Sequence, residues 1–168
     1  MPQIILSLNT SEDKIFVHDS ISCYLLSDAL PPVKINEAVA TGKMVLCRGN
    51  KALDVCRQYN LDGVVKEIDT TQPVKIQLKP LREALKKKTL GVIIPARRHE
   101  AMLSGEVEPE FIAFRSDNTL RDKEIISWYN ELFLIPLAWD AEDRAGEVKD
   151  LDVDFVIINA KNFEDFGC

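Results

Sequence analysis

The 168-residue sequence lacks most of the marks that announce a function. It has no Gly-x-Gly-x-x-Gly or P-loop, no His-Glu-x-x-His and no Gly-x-Ser-x-Gly. Nucleotide-fold, zinc-protease and serine-hydrolase readings therefore lose their usual support. Its four cysteines, Cys23, Cys47, Cys56 and Cys168, form no Cys-x-x-Cys pair. They read as reduced thiols, not as disulfides or metal ligands. No basic segment opens the chain, and no stretch nears the ~20 apolar residues of a membrane helix. A cytoplasmic protein with no membrane partner is expected.

What is present describes an ordinary globular chain. Hydrophobic residues make up 46% and charged residues 29%, which suits one packed core and a single domain over 1–168. The net charge of −6 is uneven, because the acidic excess gathers in 117–168. A basic cluster stands apart at Lys75, Lys79, Arg82, Lys86, Lys87, Lys88, Arg97 and Arg98. Lysines at helical spacing most often solvate a helix face. With an acidic chain and no interleaved aromatics, no nucleic-acid partner is expected.

Short apolar runs recur at Gln3–Leu8, Met44–Cys47, Gly63–Val65, Leu90–Ile94, Phe111–Phe114, Leu132–Trp139 and Phe155–Ile158. They are continuous, not alternating, as in parallel strands buried on both faces. Between them Asn50–Tyr59, Pro80–Lys88 and Thr119–Glu131 carry apolar residues at helical spacing. The alternation predicts an α/β fold with a parallel sheet. An acid precedes a strand at Asp62, Glu110 and Asp154, 48 and 44 residues apart, which favours repeated β/α pairs closing into a TIM-like (β/α) barrel. Seven mostly parallel strands are countable. Residues 11–43 read poorly: Ser11–Leu30 as one helix, or Lys14–His18 as a strand.

In such a barrel the chemistry sits where strands end and loops begin. That rule selects Asn9, Arg48, Asn50, Glu67, Asp69, Arg97, Arg98, His99, Arg115, Asp117, Asp140 and Asn159. Arg97, Arg98 and Arg115 follow neighbouring strands and form a candidate anion site, helped by a helix N-terminus. Pairing of Arg98 and His99 with Glu100 or Glu106 is the alternative. His99 is a candidate acid–base group. Asp117 and Asn118 equally suit an N-cap, and Trp128 and Tyr129 suit helix packing.

Arg98-His99-Glu100-Ala101-Met102-Leu103-Ser104-Gly105-Glu106, followed by Pro109-Glu110-Phe111-Ile112-Ala113-Phe114, resembles the R-H-x-A-M-x-x-G-E…A-D-Y-V-x-F stretch of a divergent bacterial branch of the thiamine phosphate synthase family. Trp128–Pro136 is similar to that branch's W-W-x-E-x-F-x-I-P segment, and Leu61–Val65 to the family's A-D-G-V-H strand. The resemblance implies a barrel whose first β/α unit is missing, with Gln3–Leu8 as the family's second strand. It also implies a transferase that couples a thiazole phosphate to a pyrimidine pyrophosphate with Mg²⁺.

Carried over position by position, the family's machinery thins out. Its Gln-x-Arg falls near Leu6-Ser7-Leu8, its Asn-Asp pair becomes Gly49-Asn50, and its Gly-Gly loop becomes Trp139-Asp140-Ala141-Glu142. Asp69 is the nearest counterpart of a metal-ligating acid and a second catalytic candidate. Three expectations follow. One is a degenerate barrel that binds a small phosphorylated ligand. Another is an active synthase with Mg²⁺ on Asp69. The third is a non-catalytic homo-oligomer joined through an exposed barrel edge.

Overall fold

A computed structural model describes residues 2–115, 122–141 and 150–164. The strands are β1 Gln3–Leu8, β2 Ile21–Ser27, β3 Met44–Arg48, β4 Gly63–Glu67, β5 Thr89–Pro95, β6 Phe111–Arg115, β7 Leu137–Asp140 and β8 Phe155–Asn159. The helices are α1 Pro32–Ala40, α2 Ala52–Tyr59, α3 Val74–Leu85, α4 Arg98–Gly105 and α5 Asp122–Leu132. All eight strands pair in parallel and in chain order, and β1 meets β8 from Gln3↔Phe155 to Ser7↔Asn159, so the sheet closes into a barrel. No described helix is long and apolar enough to cross a membrane.

The TIM-like barrel is as expected, but it has eight strands, not seven. The additional strand is β2, which lies inside the stretch read as one helix. Ile21, Cys23, Tyr24, Leu25 and Leu26 are buried on alternating sides of the sheet, a demand no one-sided helix meets. The eight described strands therefore complete the barrel, and among the described residues the closed ladder has no unpaired edge. Residues 9–20 cross from β1 to β2 without a helix, and Lys14–His18 is not a strand. The crossing is held locally. Asp13 accepts from the Asn9 and Thr10 amides, Tyr24 donates to the Phe16 carbonyl at 2.6 Å, and the Phe16 ring packs, tilted, with its centroid 4.8 Å from that of Phe163.

Both faces of each strand are apolar because both are covered. Ile5, Leu25, Leu46, Val65, Ile93, Ala113, Ala138 and Ile157 fill the barrel interior as one cluster. Leu6, Leu26, Val45, Val64, Val92, Phe114, Trp139 and Val156 face the helices in another. This accounts for the continuous runs in the sequence. Other helix boundaries moved. The expected Pro80–Lys88 begins at Val74, after Pro73, and carries Pro80 inside it.

The acid-before-strand repeat ties strands together at their N-terminal ends. Asp62 Oδ2 accepts from Val45 N at 2.8 Å, and Asp154 Oδ2 accepts from Leu137 N at 2.9 Å. Each carboxylate satisfies an amide at the start of the preceding strand. Glu110, one methylene longer, reaches Arg82 of α3 instead. The repeat is thus a feature of the stability face of the barrel.

Cys23, Cys47 and Cys56 are buried. Burial, reinforced by Asp28 and Cys56, pushes the Cys47 thiol up from 9.0 to about 12, and burial raises Cys23 and Cys56 also. Folded thiols keep protons that unfolded ones release. Their share of stability is therefore complete below pH 9 and is lost as pH rises toward 12. Urea unfolding at pH 7.5 and 10.5 should show the loss, at up to about 1.4 kcal/mol per pH unit for each thiol. An unchanged midpoint would show that these thiols ionise in the folded protein.

Candidate functional site: the C-terminal mouth of the barrel

The inward-facing residues change character along the axis. In the middle of the barrel they are apolar; at the strand C-termini they include Ser7, Arg48, Glu67, Arg115, Asp140 and Asn159. The register Ser7↔Asn159, Ser27↔Arg48 and Arg115↔Asp140 places them around one opening. Ser7, Asp140 and Asn159 are no more than 5% exposed. Buried polar side chains cost free energy unless hydrogen-bonded, and these are joined into two groups.

In the first group Arg115 Nε donates to Asp140 Oδ2 at 2.7 Å, and Nη1 reaches across β5 to Glu67 Oε1. The second group gathers around Arg48. Arg48 Nη2 donates to Asn9 Oδ1 at 2.8 Å and to Ser7 Oγ at 3.2 Å, while Asn9 Nδ2 donates to Asn159 Oδ1 at 2.6 Å. A third feature closes the β3 side. Asp28, just past β2, accepts from Lys51 N at 2.7 Å at the start of α2, a place where helix ends attract anions. Gly49 bends beside it at φ +115°, and a Cβ there would fall 2.3 Å from Asp28 Oδ2. Only glycine fits both the angle and the carboxylate.

The residues singled out from sequence divide. Arg48, Asn50 and Arg115 line a cavity of about 1180 Å³ over the mouth, together with Asn9, Asp28 and Glu67. Asp140 and Asn159 lie in the polar layer beneath. Arg97 and Arg115 share a smaller recess with Thr70 and Pro95. The three candidate arginines do not converge on one anion. Arg97 lies 3.5 Å from Glu100, Arg115 is held by Glu67 and Asp140, and the Arg98 guanidinium sits 5.2 Å over the Trp128 ring, between α4 and α5. His99 is exposed on α4. Asp117, with Ser116 and Asn118, lies outside the described residues.

Asp69 turns into its own loop. Thr71 donates to Asp69 Oδ1 from its hydroxyl at 2.6 Å and from its amide at 2.9 Å, which holds the Asp69 carboxyl below its ordinary value. Gln77 clamps the same residue's backbone, accepting from Asp69 N and donating to Asp69 O. Among the described residues no three His, Cys, Asp or Glu side chains come together as a metal site. With Asn50 in place of an acid and Asp69 engaged, the donors do not fit a hard Mg²⁺ ion.

Sequence reasoning missed Ser7 and Asp28. Asp28 was hidden with β2. Its signal was the polar Ser27-Asp28 at the end of an apolar run, the pattern used for the other strands.

No family model matches the sequence, and no curated protein matches it. Solved structures do. Tryptophan synthase from M. tuberculosis in a ligand-free form superposes with a TM-score of 0.67 at 11% identity, over 95% of this chain and 83% of that one. Thiamine phosphate pyrophosphorylase from Pyrococcus furiosus superposes with a TM-score of 0.59 at 13% identity, over 93% and 85%. At such identities the likeness is one of fold: this chain is a TIM-like α/β barrel, similar in architecture to both.

Proposed function

We propose that the barrel binds a small phosphorylated molecule at its C-terminal mouth and does not carry the synthase reaction. The observation that supports this most is the layer of buried polar side chains that the inner face carries at the strand C-termini. Folding would be served as well there by the aliphatic residues of the level below, and Ser7, Asp140 and Asn159 are costly to bury. Arg48 is the anion-binding group. Its guanidinium lines the mouth cavity, where its bonds to Ser7 and Asn9 can be exchanged for stronger, charge-assisted bonds to a phosphate. Arg115 serves a different end, because Glu67 and Asp140 meet its charge. The poor fit of the donors to Mg²⁺, and an α2 N-terminus already filled by Asp28, argue against loss of pyrophosphate here.

Calorimetric titration with inorganic phosphate and glycerol phosphate tests the reading. Arg48→Ala should weaken binding about 10- to 100-fold, the worth of a hydrogen bond between charged groups. Arg98→Ala, on the outer face against Trp128, should leave it unchanged. The opposite ranking would move the site away from the mouth. Steady turnover of a thiazole phosphate and a pyrimidine pyrophosphate with Mg²⁺ would overturn the non-catalytic part.

A further inference from the structure

The charged side chains that line the cavity over the mouth are Asp28, Arg48, Lys66, Glu67, Asp69 and Arg115. Its three carboxylates are already engaged. Asp28 accepts from Lys51 N, Glu67 meets Arg115, and Asp69 accepts twice from Thr71. Arg115 has Asp140 as well, and Arg48 has its bonds to Ser7 and Asn9. Lys66 differs from all of these, because among the described residues it makes no hydrogen bond and no ion pair.

Other half-buried lysines show what such a side chain ordinarily does. Lys34 lies 3.8 Å from Glu37, Lys43 donates to the His18 and Ile21 carbonyls, and Lys88 donates to Asn60 and to the Leu61 carbonyl. Each ends on an acceptor. Lys66 is half-buried too, yet it lines the cavity instead. Asp69, whose carboxyl feels the Lys66 charge, stays in its own loop. Thr71 holds one of its oxygens and Gln77 clamps its backbone, and the exposed carboxylate is screened by water.

Arg48 pairs with Val65, so Lys66 stands one residue further along the neighbouring strand. Strand spacing and rise put their Cα atoms about 6 Å apart. Arg48 shares the parity of Leu46 and points into the barrel, whereas Lys66 shares that of Val64 and points toward the helices. The two cations thus stand on either side of the rim and line the same cavity. At about 1180 Å³ that cavity exceeds the ~300–1,000 Å³ of a usual small-molecule site and far exceeds what one phosphate fills.

We propose that the ligand carries two anionic groups, the phosphate in the mouth and a second phosphate or a carboxylate on Lys66, joined by a spacer that passes over the ends of β3 and β4. This rests on the reading of the mouth as a phosphate site and adds a second charge to the class of ligand. The ammonium of Lys66 offers three donors and suits either group.

The experiment is calorimetry on the whole chain with ligands matched in length. Butyl phosphate is compared with butane-1,4-diol bisphosphate and with 4-phosphooxybutanoate, and the six-carbon set is run alongside, so that only the second charge differs within a set. A doubly charged ligand should bind about 10- to 100-fold more tightly than its singly charged match, the worth of one more hydrogen bond between charged groups. The better of the bisphosphate and the phosphocarboxylate identifies the second group. Lys66→Met should abolish the advantage, with its urea midpoint reporting that it is folded. Lys87→Met removes the same charge at an exposed position just past α3 and should leave the advantage intact.

Equal affinities for singly and doubly charged ligands at both lengths would overturn the inference and leave the phosphate site standing. An advantage that survives Lys66→Met, or that falls as far in Lys87→Met, would come from elsewhere and overturn it also. Failure of every phosphate to bind would overturn both readings together.

Discussion

Gly63→Ala is expected to cost about 3 kcal/mol or more, the upper end of overpacking penalties. A Cβ at Gly63 would lie 1.9 Å from the carbonyl oxygen of Thr89 and 2.7 Å from its carbonyl carbon. The obstacle is backbone, so no rotamer change relieves it. Nor is the backbone free to retreat. Thr89 N donates to the Asp62 carbonyl at 2.9 Å, and Asp62 is fixed by its carboxylate on Val45 N. The strain would spread through three strands. Gly42 supplies the contrast, because at φ +80° it has nothing within 4 Å of an added Cβ. Gly42→Ala should lose only the cost of a left-handed alanine, about 1 kcal/mol. Urea unfolding of both variants measures the difference. A Gly63→Ala protein within 1 kcal/mol of the parent would contradict the tight β4–β5 approach.

Arg115→Met is expected to cost about 3 kcal/mol, the low end for breaking a buried ion pair. The Asp140 side chain is 2% exposed and Arg115 is 42% exposed, so the loss comes mainly from taking the guanidinium away from a buried carboxylate. The arginine's own partial hydration sets the figure at the low end. Arg115→Met with Asp140→Asn should recover more than half, because the buried negative charge is then removed together with the guanidinium that met it. Glu67→Gln should cost under about 1 kcal/mol, since that half of the arrangement is exposed. Chemical denaturation of the three variants decides it. If Glu67→Gln proved as costly as Arg115→Met, Asp140 would not be the anchor of the mouth.

The fold was largely readable because parallel strands covered on both faces leave continuous apolar runs, and seven of the eight did. β2 escaped. Ile21–Ser27 follows a connection with no helix, so the β-then-α rhythm that located the others is broken there. The same burial that made strands visible concealed their orientation. When inner and outer faces are equally apolar, nothing in the letters tells which residue of a strand end points into the barrel. Arg98 and Arg115 therefore looked equivalent, although one lies on Trp128 outside and the other on Asp140 inside. Asp69 illustrates a further limit. It stands at a strand end as a ligand would, but Thr71 two residues on makes a local turn the stronger claim on its carboxylate.

Closure of the barrel bears on the order in which the molecule assembles. Most ladder contacts join strands that are neighbours along the chain, whereas the Asn9–Asn159 hydrogen bond joins positions 150 residues apart. Gathering so long a loop carries the largest entropy of any pairing in the sheet, and such non-local contacts set the pace of folding. The polar mouth is assembled across that seam, since Ser7 and Asn9 come from one side and Asn159 from the other. A molecule resting on Arg48 and its partners would meet a finished site only in the closed state. It would draw the equilibrium toward closure by mass action, and would slow the parting of β1 from β8 more than that of any other pair.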